Sequence, residues 1–400
     1  MNAPHSPSLL ASVPMAPSDP ILGVTEAFHA DPNPKKVNLG VGVYYDDNGK
    51  VPLLECVRRA EAERLKAAPP RGYLPIDGLA AYDRGVQQLV FGKEDKRFVT
   101  VQAIGGTGGL KIGADFLRLA SPQSEVWISD PSWENHRQLF EAAGFKVKSY
   151  PYYDARTRGL DFAGMRDALD RAPAGTIAVL HACCHNPTGV DLNAAQWKEI
   201  LGVVQRRGLV PFLDLAYQGF ADGLDADAYA ARLFSEAMSP VFLSSSFSKS
   251  FSLYGERVGA FSAVTANPEE AARVLSQVKR LVRTNYSNPP THGSQLVAAV
   301  LASGELRAQW EQELGAMRDR IKSMRLDLVA KIKERAPKAE FGHVIAQRGM
   351  FSYTGLTREQ VQRLRKEYSI YAIETGRICV AALNSKNIDY VAGAIAAVIQ

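Results

Sequence analysis

Residues 244–260 read SSSFSKSFSLYGERVGA, and this segment places Lys249 close to the hydroxyls of Ser246 and Ser248 and to the guanidinium of Arg257. An apolar run at 241–243 leads into it and favours a β-strand. A lysine becomes nucleophilic toward carbonyl groups when desolvation or a neighbouring cation lowers its pKa. Hydroxyls and a guanidinium beside it favour a bound dianion. The segment therefore combines a candidate nucleophile with a candidate phosphate site.

This combination indicates a cofactor. A lysine that forms a Schiff base beside a phosphate site is typical of enzymes that bind pyridoxal phosphate (PLP). A lysine among serines is also common in solvated loops, so the segment alone leaves both interpretations open. The cofactor interpretation requires the other groups of a PLP site elsewhere in the chain.

Composition and charge argue against several classes of protein. The 400 residues are 46% hydrophobic and 22% charged, which is typical of a globular protein. The net charge is +5 without runs of like charge, so neither nucleic-acid nor membrane binding is indicated. The cysteines include no C-x-x-C pair, which predicts a reducing, cytoplasmic compartment; they are Cys56, Cys183, Cys184 and Cys379.

The order of apolar runs predicts the fold class. Runs of strand length alternate with amphipathic stretches at 98–104, 125–130, 176–182, 209–217 and 240–246. Such alternation predicts an α/β fold with a mainly parallel sheet covered by helices. Functional groups in such folds collect at the carboxyl ends of the strands. From Pro268 the pattern becomes helical, and Gly304 is expected to divide the stretch 291–335 into more than one helix.

Polar or small residues follow several of these strands. GGTGGLKIGADFL, from Gly105, lets backbone N–H groups approach a phosphate at a helix N-terminus, although a simple tight turn explains it as well. Asp214 ends the run 209–217, where a buried carboxylate is costly unless it is paired. A helix cap or a structural hydrogen bond remains an alternative for Asp214, as core packing does for Trp133 in PSWENH.

The segment HACCHNPTG, from His181, resembles a metal-binding cluster only in composition. Neighbours on a strand point to opposite faces, so both cysteines and both histidines should not reach one ion, and no metal site is predicted. Asn186-Pro187-Thr188-Gly189 has the composition of a turn.

These motifs, in this order, resemble the class I PLP-dependent aminotransferases of the aspartate/aromatic (tyrosine) subgroup, from about Asp19 to Gln400. The resemblance implies the fold type I of PLP-dependent transferases. Its large PLP-binding domain, with a mainly parallel seven-stranded sheet, would span 52–316. A smaller α/β domain would combine 19–51 with 317–400. Residues 1–18, rich in Pro, Ser and Ala and without a basic segment, are predicted to form a flexible arm.

The resemblance also implies roles for individual residues. Lys249 would carry the cofactor and move protons, Asp214 would pair with the pyridinium nitrogen, and Tyr217 and Asn186 would contact the phenolic oxygen. Trp133 would lie against the ring, and His136 would orient Asp214. His181 would lie behind the residues that contact the cofactor. The phosphate would be held by Gly106, Thr107, Ser246, Ser248 and Arg257.

Substrate groups and subunit contacts follow from the same resemblance. Arg377 would clamp the substrate carboxylate with help from Gly42 and Asn186. Tyr73 would reach the phosphate from the neighbouring subunit, and Arg283 would cross the interface to meet a second substrate carboxylate. The chain is therefore expected to be a homodimer with shared active sites.

Substrate preference is drawn from residues around the predicted pocket. Tyr45 stands where the aspartate-preferring members of the resembled family tend to carry a lysine, and Val51 nearby is apolar. Both residues remove charge from the rim of the pocket and add apolar area, which favours an aromatic side chain. Positions of the aspartate type are Val43, Thr107 and Asn288, whereas Gly72 matches neither type. The predicted activity is transfer from Tyr, Phe and Asp to 2-oxoglutarate. The alternatives are an aspartate aminotransferase with little aromatic activity, another PLP enzyme such as a β-lyase or decarboxylase, and a non-catalytic relative.

Overall fold

The computed structural model describes residues 8–16 and 22–400. The α-helices are α1 Leu22–Ala30, α2 Glu55–Ala67, α3 Ala80–Phe91, α4 Gly105–Ala120, α5 Glu134–Ala142, α6 Phe162–Arg171, α7 Ala194–Arg207, α8 Leu224–Asp227, α9 Tyr229–Ala237, α10 Pro268–Asn285, α11 His292–Ala302, α12 Gly304–Arg335, α13 His343–Ala346, α14 Arg358–Tyr368 and α15 Ile388–Ile399. The strands are β1 Val37–Asn38, β2 Phe98–Ile104, β3 Glu125–Asp130, β4 Lys146–Pro151, β5 Tyr153–Asp154, β6 Gly159–Leu160, β7 Ile177–His181, β8 Val210–Leu215, β9 Val241–Ser246, β10 Val258–Val264, β11 Phe351–Tyr353, β12 Ile370–Tyr371 and β13 Arg377–Cys379.

A seven-stranded sheet forms the centre of the molecule, in the order β2-β10-β9-β8-β7-β3-β4. Only β10 runs antiparallel to its neighbours β2 and β9, and the other pairs are parallel. The predicted α/β class with a mainly parallel seven-stranded sheet is confirmed, and each of the five apolar runs forms a strand of it. Two strands of this sheet had not been predicted. The edge strand β4 has the charged sequence KVKSYP, and β10 begins directly after Arg257.

The helical region after Pro268 also agrees with its prediction. α11 ends at Ala302 and α12 begins at Gly304, so the stretch is divided where Gly304 predicted it. Ser303 caps α12, because its side chain accepts a hydrogen bond from the backbone N–H of Leu306.

Two short sheets contain strands from near the N- and C-terminal ends of the chain. β1 pairs in parallel with β12, and β11 pairs antiparallel with β13. α12 runs continuously across the predicted domain boundary at 316/317. The two domain boundaries, at 316/317 and at 51/52, stay predictions. Of the predicted arm, residues 1–7, 17 and 18 lie outside the described residues, and 9–12 form a short 3-10 helix with exposed side chains. Within residues 8–16 and 22–400, no helix combines the length and apolarity that a membrane crossing requires.

α4 packs very closely on the central sheet. A Cβ at Gly113 would lie 2.4 Å from Cζ of Phe212, and one at Gly109 would lie 2.6 Å from Oγ of Ser244. Because Phe212 is fully buried, it has little room to move. The close approach fixes the N-terminus of α4 at the carboxyl ends of the strands.

We expect Gly113→Ala to destabilise the protein by about 1–3 kcal/mol, because the added methyl overpacks the contact between helix and sheet. Gly202→Ala is the matched control, since Gly202 lies inside α7 with no atom within 4 Å of its Cβ position. That substitution should stabilise the protein by up to ~1 kcal/mol. Urea unfolding of both variants measures the two shifts, and shifts of the same sign would contradict the packing argument.

Candidate active site

A cavity of about 260 Å³ opens at the carboxyl ends of the central strands. The predicted site residues that line it are Gly42, Gly106, Thr107, Trp133, His181, Asn186, Asp214, Tyr217, Ser246, Ser248, Lys249, Arg257 and Arg377. The sequence analysis had not selected Leu110, Ala216, Tyr254 and Phe351, which line it too. Tyr254 follows Lys249 within the segment 244–260, which was the signal available for it. Phe351 begins β11.

Asp214 is buried near the end of β8 and is hydrogen-bonded to His136. Its Oδ2 lies 2.9 Å from Nε2 of His136, and Nδ1 of His136 lies 2.9 Å from Oγ of Ser132. A carboxylate only accepts, so the Nε2–H of His136 donates to it, while the hydrogen bond between Nδ1 and Ser132 holds the other side of the ring. Burial raises the pKa of Asp214, but the hydrogen bond from His136 and nearby positive charge outweigh it, so the pKa lies below its ordinary value. Asp214 is therefore an anion inside the cavity.

His181 lines the cavity beside this pair rather than lying behind it. Its ring is 4.9 Å from that of His136 and 4.3 Å from that of His185. Burial, with the two neighbouring imidazoles, lowers the pKa of His181 well below its ordinary value, so the ring is neutral. Neither ring nitrogen has a hydrogen-bond partner within the described part of the chain. Buried polar atoms are rarely left unpaired, so this wall of the cavity suits a polar ligand.

Lys249 reaches the cavity from the loop after β9. Its Nζ lies 5.1 Å from the centre of the Tyr217 ring. Burial lowers the pKa of Lys249 to about 8, against the raising effect of Asp214 and with a smaller lowering effect of Arg257. A substantial fraction of this amine is neutral near physiological pH, which a nucleophile or general base requires.

Groups suited to a dianion meet at one end of the cavity. Gly106 and Thr107 lie in the first turn of α4, where backbone N–H groups and the helix dipole favour an anion. Arg257 Nη1 lies 3.5 Å from Oγ of Ser248. A Cβ at Gly106 would come within 3.0 Å of Cβ of Ser246, so the absence of a side chain keeps this corner open. The corner fits a phosphate group.

Arg377 forms the opposite end and is almost completely buried. It donates to Oδ1 of Asn186 at 3.1 Å and to the carbonyl of Gly40 at 2.6 Å. Gly42 lines the cavity and also gives space to Phe351, because a Cβ at Gly42 would lie 2.6 Å from Cζ of that ring. Nε of Arg377 is buried and has no partner among residues 8–16 and 22–400. A guanidinium with a free buried donor is suited to a carboxylate.

Tyr73 and Arg283 do not line the cavity. Tyr73 is 95% exposed. Arg283 is also exposed and donates to Oγ of Ser287, whose hydroxyl donates to Oδ1 of Asn288. Asn288 donates in turn to the carbonyl of Leu74, so the segments that carry Tyr73 and Arg283 are joined on one face of the molecule.

Of the residues selected for substrate preference, Tyr45 lines a separate cavity beside α1, and Val51 is 44% exposed. Neither residue touches the main cavity within one chain. Any influence of these two residues on substrates therefore depends on a second chain that would bring them to the cavity.

The adjacent cysteines lie apart from this site. Their Sγ atoms and a carboxylate oxygen of Asp227 lie within 4.8 Å of one another, because the strand ends at His181 and Cys184 adopts φ 51°. The two thiols therefore do not face opposite ways, contrary to the expectation for neighbours on a strand. Asp227 already accepts three backbone N–H bonds, and burial raises the pKa of Cys184 to about 12. Without an ion these thiols are protonated, and the Asp227 carboxylate is occupied by the backbone.

Comparison with known proteins agrees with this geometry. Residues 34–395 match the family model of aminotransferases of classes I and II. An aspartate aminotransferase of Pseudomonas aeruginosa is 60% identical, over 98% of this chain and 100% of that protein. A PLP-bound aromatic-amino-acid aminotransferase of Burkholderia pseudomallei is 64% identical, with a TM-score of 0.96 over 98% of this chain and 100% of that one. An aromatic aminotransferase of Psychrobacter sp. B6, crystallised with aspartic acid, is 46% identical with a TM-score of 0.96 over 98% and 100% of the two chains. The chain belongs to the class I and II aminotransferases and is a PLP-dependent transaminase.

Proposed function

We propose that this protein is an aromatic-amino-acid aminotransferase that also accepts aspartate and uses 2-oxoglutarate as the amino acceptor. The observation that carries this proposal is the convergence of Lys249, Asp214 and Arg377 on one cavity, with a dianion corner at one end. The free buried cysteines support a cytoplasmic location. Each amino acid would react in two half-reactions of a ping-pong cycle.

The cavity residues have complementary roles toward PLP. Gly106, Thr107, Ser246, Ser248 and Arg257 would hold the phosphate, and Trp133 would lie against the ring. Asp214, held as an anion by His136, would keep the pyridinium nitrogen protonated, while Tyr217 and Asn186 would contact the phenolic oxygen. When bound, PLP supplies an electron sink for the carbanion formed at the substrate α-carbon.

Proton transfer is the task of Lys249. Its neutral Nζ takes the proton from the substrate α-carbon as a general base and returns a proton as the conjugate acid. A lowered pKa suits both steps, because neither protonation state is strongly disfavoured near neutral pH. Tyr217 remains a hydrogen-bond donor, since burial raises the pKa of its phenol well above the ordinary value.

Because the pKa of Lys249 lies at about 8, the neutral fraction of the amine rises as pH increases through that value. We therefore expect the rate at which the apoenzyme captures PLP covalently to rise between pH 7 and 9, with a midpoint near 8. Asp214→Asn should move the midpoint to lower pH, because the charge of Asp214 raises the pKa of Lys249. Borohydride trapping followed by mass spectrometry measures the rate.

Asp214→Glu is the control for this experiment, since it retains the negative charge and should retain the midpoint. A midpoint near 10.5, the ordinary value for lysine, would contradict the desolvation of Lys249.

The proposed assembly is a homodimer whose active sites are shared. Two residues predicted to serve the cavity, Tyr73 and Arg283, lie on the surface of a single chain and are tied together through Ser287 and Asn288. In a dimer, Tyr73 would reach the phosphate of the partner's site, and Arg283 would meet the side-chain carboxylate of a substrate there.

Hybrid dimers test this arrangement. Lys249→Ala and Arg283→Leu homodimers should both transaminate aspartate poorly. A hybrid of the two contains one site with Lys249 and Arg283 both intact, so it should recover about half of the wild-type activity. Co-expression with two affinity tags isolates the hybrid, and activity no higher than that of the parents would exclude shared sites.

Substrate preference is the second part of the proposal. Relatives of comparable similarity carry aspartate and aromatic names, and the Psychrobacter aromatic enzyme was crystallised with aspartic acid. Arg283 would pair with a second carboxylate but turn toward solvent for an aromatic ring, because its charge is well hydrated and its stem is flexible. The alternative is an aspartate aminotransferase with little aromatic activity.

We expect wild type to transaminate Tyr and Phe at least as well as Asp. Arg283→Leu should lower kcat/KM for Asp and Glu by roughly 10–150-fold, the loss of a charge-assisted hydrogen bond, and leave Phe nearly unchanged. Glutamate formation from 2-oxoglutarate with the four amino acids measures both effects. Equal losses on Phe and Asp would contradict the movable arginine. A wild type inactive on Tyr and Phe would favour the alternative, and release of ammonia instead of glutamate would indicate a lyase.

A further inference from the structure

α12 carries a buried arginine that the proposed mechanism does not use. Arg325 is 2% exposed and forms no ion pair with a residue of the described ranges. Its Nη1 donates to the carbonyl of Val344 and to Oγ of Ser352, and its Nη2 donates to the carbonyls of Gly349 and Phe351 at 2.7 and 2.6 Å. A buried guanidinium without a carboxylate is costly, so a set of neutral acceptors must compensate.

These acceptors surround the start of β11, where Phe351 enters the active site. The Phe351 ring lies 4.4 Å from Cζ of Arg377 and 6.1 Å from the Tyr217 ring. Its other side fills the space left by Gly42. β11 also pairs directly with β13, so Tyr353 lies opposite Arg377 in the ladder. A shift of the 349–352 backbone would therefore move the Phe351 ring, which packs on the Arg377 guanidinium. It would also move β11, which pairs with the strand that carries Arg377.

We propose that Arg325 is a positioning residue of the substrate carboxylate site, which acts by fixing Phe351 against Arg377. The inference rests on the proposed function, in which Arg377 binds the substrate carboxylate. Arg325 is suited to this task because its rigid planar fork reaches diverging acceptors on both nitrogens, whereas the single nitrogen of a lysine cannot. Through Arg325, α12 thus holds the backbone at the start of β11, and this backbone sets where the Phe351 ring contacts the Arg377 guanidinium.

Binding of succinate to the PLP-loaded enzyme, measured by calorimetry, tests the proposal without turnover. Arg325→Lys keeps the charge and should raise the dissociation constant about tenfold, because small displacements of binding groups are costly. Phe351→Leu should raise it to a similar extent. If Arg325 acts through Phe351, the double variant should bind little more weakly than either single variant.

Arg318→Met is the matched control, since Arg318 lies on α12 and donates to the carbonyl of Gly219 away from β11. It should leave succinate binding unchanged. Ser352→Ala removes one acceptor of Arg325 without changing charge and should weaken binding less than Arg325→Lys does.

A wild-type dissociation constant in Arg325→Lys, or independent losses in the double variant, would overturn the positioning role. An unchanged dissociation constant accompanied only by a lower unfolding midpoint would overturn it too, because it would show a purely structural arginine. Succinate binding that persists in Arg377→Met would instead overturn the carboxylate role of Arg377, on which the proposed function depends.

Discussion

The buried pair of Asp214 and His136 is the interaction on which the rest of the site depends. A carboxylate at the end of an interior strand would be neutral or strongly destabilising if it were unpaired. Here one imidazole N–H, fixed by Ser132 on its other side, keeps the carboxylate ionised. Removing one partner of a buried charged pair typically costs about 3–5 kcal/mol, because the other charge is left uncompensated.

Burial lowers the pKa of Lys249 but raises that of Asp214, so it disfavours the charged form of both groups. For Lys249 burial is the dominant effect and the pKa falls, although Asp214 opposes it. For Asp214 the hydrogen bond and neighbouring positive charge outweigh burial, and the pKa falls as well. One low-dielectric cavity therefore holds an anion beside an amine that can be neutral. This combination supports both cofactor electronics and proton transfer.

The position of each functional group follows from the parallel sheet. β7, β8 and β9 end at the same edge, so His181, Asp214 and Ser246 meet there although they are far apart in the chain. The close packing of α4, which Gly109 and Gly113 permit, brings the dianion corner to that edge. Arg377 reaches the cavity differently, on a short strand from the C-terminal part of the chain.

Local sequence patterns determined the five central strands and the helices after Pro268, because periodicity is a property of short segments. Most of the residues that converge on the cavity were predicted from the resemblance to a known family. Local patterns did not reveal the edge strand β4, whose charged residues face solvent, or the contacts of Tyr254, Phe351 and Arg325. The Tyr254 hydroxyl accepts from the backbone N–H of Tyr44, the Phe351 ring packs on Arg377, and Arg325 donates to the carbonyl of Phe351, so each contact joins segments apart in sequence. Only the tertiary structure decided that the carbonyl of Gly40 accepts from Arg377, and that Tyr73 and Arg283 lie on the surface. Which carbonyl meets a guanidinium, and which side chain stays exposed, depends on how distant elements pack and is not encoded in any local pattern.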